Sequence, residues 1–266
     1  MAGPILQSPS SFNESLRSDV ANEDRISTSL DSVAPLEVSE SLVPVREMKQ
    51  AGTICVSLDG LLRRPIFIKE DLKEGCGGQL WPAGLLLAQY MVHEHRASLL
   101  GKTIIELGAG SGLVGLAVAR GCSTNSPIFI TDQECMLPLM KDNVNTNDLS
   151  SNARAIVLDW GSPLPDCIPY GSTVVLAADC VYFEPAFPLL ISTLQQLLSP
   201  GSVCYFCFKR RRRADLRFMK QAKKIFDVAE IRGYMDHDNF ARENLFLYSI
   251  RPRSAKNNIT LLPNPC

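Results

Sequence analysis

Between Thr103 and Phe208 the hydrophobic period of the chain switches back and forth between two and about 3.6. Apolar runs of strand length, at Thr103–Leu107, Ile128–Thr131, Ala155–Leu158, Thr173–Ala177 and Val203–Phe208, alternate with helical stretches at Leu113–Arg120, Met136–Asn145 and Phe187–Leu198. Strands that alternate with helices, and that are themselves nearly all apolar, predict an α/β fold with a largely parallel sheet covered on both faces. A helix over Ala214–Ile225 and strands at Val228–Ile231 and Leu245–Ile250 are expected to complete it. Upstream, Ile54–Val56 and Pro65–Ile68 flank Asp59-Gly60, a strand–turn–strand signal for an N-terminal β-hairpin extension. Gly75, Gly77 and Gly78 mark a flexible segment before Trp81-Pro82, and Pro82 suits the first turn of a helix running to about Ser98.

The rest of the chain sets limits. Ten serines lie between Ser8 and Ser41 among acidic residues and few aromatics, so residues 1–45 are expected to be a disordered tail. Residues 46–252 then form one domain, with a flexible C-terminal tail at 253–266. No apolar stretch approaches the roughly 18–20 residues that span a bilayer, and no basic-then-apolar secretory leader opens the chain. Residues 1–50 carry eight acidic and four basic side chains, so the remainder holds 23 basic against 20 acidic. That balance leaves no nucleic-acid footprint, and direct nucleic-acid binding is not expected. Nine scattered cysteines fit small buried hydrophobes in a reducing, cytoplasmic setting. The one C-x-x-C, Cys204 with Cys207, falls in a strand, where residues three apart point to opposite faces. No metal site is expected.

The most informative stretch is Glu106-Leu107-Gly108-Ala109-Gly110-Ser111-Gly112-Leu113-Val114-Gly115, which joins the first sheet strand to a helix. Glycines there let the backbone turn sharply and approach a ligand, and the helix start presents free N–H groups. Two nucleotide readings compete. Gly110-x-Gly112-x-x-Gly115, with Asp132 20 residues beyond Gly112, matches a dinucleotide fingerprint. Alternatively, Gly108-x-Gly110-x-Gly112 behind Glu106 suits a ligand with a cationic amino-acid end and no pyrophosphate, as in S-adenosylmethionine. A tight structural turn is the plain alternative for the loop taken alone, and Asp132 alone could be a helix cap. Asp159-Trp160 adds a carboxylate and an indole at the end of a later strand, where ligands of parallel sheets gather. Asp179 and Tyr182 follow the next strand; in isolation they read as a strand-end turn with a buried aromatic.

Trp81-Pro82-Ala83, Glu106–Gly115, Thr131-Asp132, Asp159-Trp160 and Ala178-Asp179-Cys180-Val181-Tyr182 together resemble the seven-β-strand protein-lysine methyltransferases of the methyltransferase-21-like group. The resemblance covers about residues 53–252. The run from Lys209 to Asp215 looks most like the fungal members that methylate a lysine of translation elongation factor 1-alpha. The resemblance implies a Rossmann-like sheet of seven strands, mostly parallel with the last antiparallel, and S-adenosylmethionine as cofactor. By motif, Gly108, Ala109 and Gly110 would line its methionine part with Glu106 beside them. Asp132 would hold the ribose, Asp159 and Trp160 would meet the adenine, Trp81 would close over it, and Ala178 would touch it from the fourth strand. Asp179 and Tyr182 would face the target lysine. The implied partner is a protein, elongation factor 1-alpha, met by a cytoplasmic monomer. Several relatives carry a glutamate near the end of the fifth strand; Lys209 stands in that neighbourhood here, which bears on substrate identity.

Rival readings are a methyltransferase of another protein or small amine, a silent cofactor-binding module, and an NAD dehydrogenase, the last disfavoured by Asp159-Trp160 and Asp179–Tyr182. The basic run Lys209–Arg213 reads as a solvated helix start, a nuclear address or a docking patch. Cations at a helix N-terminus oppose its dipole, so helix stability does not account for them.

Overall fold

The computed structural model describes residues 52–72, 75–169, 171 and 173–253. The expected tail at 1–45, and all of the one at 253–266 except Arg253, lie outside the described residues. An antiparallel hairpin, β1 (Thr53–Val56) and β2 (Ile66–Lys69), comes first, with Ile54 opposite Ile68. The main sheet holds β3 (Thr103–Leu107), β4 (Ile128–Asp132), β5 (Ala153–Val157), β6 (Thr173–Ala178), β7 (Val203–Lys209), β8 (Phe226–Glu230) and β9 (Leu245–Pro252). Its order is β5-β4-β3-β6-β7-β9-β8. Strands β3 to β7 pair in parallel, and β9 lies antiparallel between β7 and β8. This is the expected seven-stranded α/β sheet with its last strand reversed.

The strand order runs outward from β3 in both directions. The chain switches sides between β3 and β6, and the crevice at the carboxyl ends of strands at such a switch is where open α/β sheets take ligands.

Period-two alternation divides the sheet residues between two cores. On one face, Ile104, Ile128, Ile130, Tyr205 and Cys207 pack with α1 (Pro82–Glu94), α2 (Leu113–Gly121) and α3 (Leu137–Thr146). On the other, Ile105, Leu107, Val175, Phe206 and Phe208 pack with α4 (Phe187–Leu197) and α5 (Arg213–Ile225). Phe218 of α5 stacks on Phe206 at 5.0 Å and meets Phe187 edge-on at 5.4 Å. Each such ring, fully buried, contributes about 1.5–3 kcal/mol. Cys204 and Cys207 fall in different cores, as their spacing predicts.

The hairpin is tied to the domain by two asparagines four residues apart, Asn143 on α3 and Asn147 at its C-cap. Asn143 accepts from the Lys69 N–H at 2.8 Å and donates to the Lys69 carbonyl at 3.1 Å. Asn147 does the same for Phe67 at 2.9 and 2.7 Å. The two amides act as a substitute strand along the outer edge of β2, satisfying backbone groups that β1 cannot reach. Asn143 also donates to the Ser111 carbonyl at 2.9 Å, which links the hairpin to the glycine loop.

Several elements differ from expectation, among them β8, which starts two residues early at Phe226, and β9, which runs on to Pro252. Helix α1 ends at Glu94 rather than Ser98, because His95 turns in among Tyr90 and Tyr205, at 5.4 and 4.8 Å between ring centres. Strand β5 starts two residues early, at Ala153, where it meets Ile128. A six-residue helix α6 (His237–Arg242) was not foreseen; it is too short to show an apolar stripe.

Candidate active site

The loop after β3 is built around left-handed glycines: Gly108, Gly110 and Gly112 have φ of 59, 55 and 83°. At Gly108 the space is also closed. A Cβ there would lie 2.9 Å from the Trp160 ring and 3.1 Å from Cys180 Sγ. Cys180 donates in turn to the Leu107 carbonyl at 3.3 Å, so strand β6 buttresses the loop from beneath. The Ala109 N–H donates to the Thr131 carbonyl at 3.0 Å, and the Gly110 N–H to Asp132 Oδ2 at 2.7 Å. The loop is thus held by its neighbours β4 and β6 before any ligand arrives.

Glu106 decides between the two nucleotide readings. It is 3% exposed and points at the start of α2. Its oxygens accept from the Val114 N–H at 3.2 Å and the Gly115 N–H at 2.8 Å. A Cβ at Gly115 would lie 2.7 Å from Glu106 Oε2, so this glycine makes room for the carboxylate. A dinucleotide fold would offer these N–H groups to a pyrophosphate. Here a carboxylate already occupies them, which rules out the dinucleotide geometry. Burial pushes the Glu106 carboxyl up to about 8, against the pull of its two N–H donors. Glu106 sits under the loop, not on its ligand side.

The four strands around the switch point each deliver an acid at or near the carboxyl end: Glu106 on β3, Asp132 on β4, Asp159 after β5 and Asp179 after β6. Asp132 is half-buried and also accepts from the Gln133 N–H at 2.7 Å; burial raises its carboxyl pKa. Asp159 is exposed, and Trp160 lays its ring against Gly108. Trp81 caps the start of α1. Ala178 is half-buried at the end of β6, opposite Cys207. Such a set of acceptors favours a ligand with hydroxyls, an amine and positive charge, and repels phosphates. The residues therefore fit S-adenosylmethionine.

Asp179 carries a positive φ of 55° and is 8% exposed, and both oxygens of its carboxylate have partners, with acceptor capacity left on Oδ2. The Lys209 N–H donates to Oδ1 at 3.0 Å, and Arg211 forks onto both oxygens at 3.0 and 2.9 Å. The same guanidinium lies over the Trp81 ring at 5.1 Å. Arg212 donates to the carbonyls of Val181 and Tyr182 and pairs with the buried Asp215 at 3.2 Å. Asp215 accepts from the N–H groups of Arg211 and Arg212 at 2.8 and 2.9 Å, the backward-reaching half of a capping box. Tyr182 and Phe183 stand 62% and 57% exposed, so the buried-aromatic reading of this turn does not hold. In the basic run, read as solvent-facing or docking charge, Arg210 to Arg213 are exposed, yet the guanidinium groups of Arg211 and Arg212 are committed to Asp179, to Asp215 and to the carbonyls of Val181 and Tyr182. Arg211, Arg212 and Cys180 were missed; the available signal was Asp215, set three residues beyond Arg212 in capping-box spacing. Among the described residues no cluster could hold a metal ion, and no helix is long and apolar enough to cross a membrane.

Residues 62–225 match a protein family described as lysine methyltransferase, a span that takes in the glycine loop, Asp179 and Arg211. The chain belongs to the lysine methyltransferase family. The methyltransferase is 35% identical over 234 residues to the protein-lysine N-methyltransferase EFM6 of Saccharomyces cerevisiae, covering 79% of this chain and 95% of the relative. It is 34% identical over 176 residues to the protein N-lysine methyltransferase METTL21A of Danio rerio, with 64% and 78% covered. Against EEF1A lysine methyltransferase 3 of Mus musculus it is 37% identical over 138 residues, with 52% and 57% covered. The protein is thus an S-adenosylmethionine-dependent protein-lysine methyltransferase.

Proposed function

We propose that this methyltransferase modifies a lysine of elongation factor 1-alpha, acting in the cytoplasm as a monomer. The observation that carries the reading is the placement of Asp179 and the exposed Tyr182 beside the glycine loop, at one end of one sheet. The mouse relative's name supplies the substrate class.

In this reading Gly108, Ala109 and Gly110 line the methionine part of the cofactor, and Glu106 holds their loop from below. Asp132 uses one lone pair on each oxygen for backbone N–H groups, which leaves acceptor capacity for ribose hydroxyls. Asp159 and the Trp160 ring flank the adenine; stacking there is worth on the order of 1 kcal/mol beyond area burial. Trp81 and Ala178 close the pocket towards the substrate. Bound S-adenosylmethionine supplies a methyl group activated by positive sulfur. The chain must present a lysine amine with a free lone pair, and neutralising a lysine at pH 7 costs roughly 4.6 kcal/mol. Asp179 binds and orients the amine, Tyr182 shapes the slot around it, and exclusion of water lowers the cost of deprotonation.

The test is incubation of bacterially produced elongation factor 1-alpha with enzyme and methyl-labelled cofactor, followed by mass spectrometry. One labelled lysine is expected. Label on another protein of a eukaryotic extract, and none on the factor, would move the substrate; no label anywhere would leave a silent binding module.

A further inference from the structure

The proposed role of Asp179 contains a conflict. A bare carboxylate beside a lysine favours the ammonium, raising its pKa by about 1–3 units, and an ammonium cannot attack a methyl group. The structure holds the counterweight. Arg211 forks onto both oxygens of Asp179 at 3.0 and 2.9 Å, on a carboxylate that is 8% exposed beside a guanidinium that is 39% exposed. Its other side lies over Trp81, and its backbone N–H is fixed by Asp215, so the guanidinium is aimed rather than loose.

We propose that Arg211 is a positioning residue that presents Asp179 to the target lysine as one half of an ion pair, so that the site orients the amine without holding it protonated. The lysine nitrogen then meets an acceptor oxygen whose charge is already balanced. It can be gripped by a hydrogen bond and still release its proton to solvent before transfer. This rests on the proposed assignment of Asp179 to the lysine slot.

The other groups around Asp179 leave the balance to Arg211. From β7, Lys209 contributes its backbone N–H, and the Cys207 thiol is pushed well up by burial and stays neutral. Next in sequence, the Cys180 thiol stays neutral for the same reason. On the α5 side, Arg212 is paired with Asp215; Asp132 adds only negative potential, and Glu106, raised to about 8 by burial, carries little charge near neutrality. Tyr182, at the turn, is uncharged near neutrality.

The experiment is the pH dependence of kcat and KM on bacterially produced elongation factor 1-alpha, with saturating cofactor. For Arg211→Gln the rising limb of kcat should move up by about one pH unit, a tenfold loss at fixed pH below the limb, while KM stays level or falls. Asp179→Asn leaves an uncompensated guanidinium beside the amine, so its limb should move the opposite way, with KM raised. Arg211→Lys, which keeps the charge and loses the fork, should fall between wild type and Arg211→Gln. A scaffold role would lower kcat without moving either limb in a signed direction. Unmoved limbs in the variants that fold, with an active wild type, overturn this inference alone. A wild type that labels no protein lysine overturns the proposed function, and this inference with it.

Discussion

At the scale of single residues, the site separates atoms that touch ligand from atoms that hold those residues still. In the proposed reading Asp132 serves both, holding the Gly110 N–H and the ribose: Asp132→Ala should weaken cofactor affinity at least tenfold in calorimetry, and unchanged affinity would remove the ribose assignment. Tyr182 is exposed, so Tyr182→Ala should leave the melting temperature and cofactor affinity near wild type while slowing methylation. Equal loss of fold and activity would assign it to the scaffold instead. Gly108 belongs to the second group. Gly108→Ala forces a Cβ against Trp160 and Cys180 at a positive φ, at an expected cost of about 1–3 kcal/mol in unfolding experiments. Motif spacing in the sequence brought the loop, Asp132, Trp160 and Asp179 to one place. It could not bring Arg211, because five consecutive basic residues look alike until the fold decides which one meets Asp179. Nor could it show that Glu106 faces the helix, since strand alternation gives a residue's face but not the partner waiting there.

The elements themselves were legible wherever a strand is buried on both faces or a helix shows its apolar stripe. Strands β3, β4, β6 and β7 match the expected runs to within a residue at either end. The failures are where tertiary contacts override local pattern: the early end of α1 at His95, and the short α6. Asn143 and Asn147 were invisible for a related reason, as their amides serve a hairpin 74 to 80 residues away in sequence. Asn143→Ala would strand the N–H and carbonyl of Lys69 and the carbonyl of Ser111. Each buried group left unpaired costs about 1–3 kcal/mol, so a clear drop in denaturant midpoint is expected. Because Ser111 lies in the glycine loop, cofactor affinity should weaken too. An Asn143→Ala protein with native midpoint would show that the hairpin is held by its apolar residues alone.

For the molecule as a whole, the buried carboxyl under the loop couples stability to pH. In the folded protein Glu106 titrates at about 8, against an ordinary value of 4.5. The folded state therefore keeps a proton that the unfolded chain gives up. The stability this contributes is complete below about pH 4.5 and is lost as the pH rises through 8. The cofactor-free protein should melt lower at pH 9 than at pH 6, and Glu106→Gln should flatten that difference. A slope unchanged in the variant would place its source elsewhere. Strand order, by contrast, could not be read from the sequence, because the alternation of elements does not say on which side of β3 each new strand is laid. Its most unusual step is the insertion of β9 between β7 and β8. On a translating ribosome, β8 emerges with no neighbour to accept it, and β7 waits with one edge bare until Leu245–Pro252 leaves the exit tunnel. The Arg210–Asn244 hydrogen bond, close to the loop that carries Arg211, forms only then as well. The stretch around Arg210 is thus completed only when almost the whole domain has been synthesised.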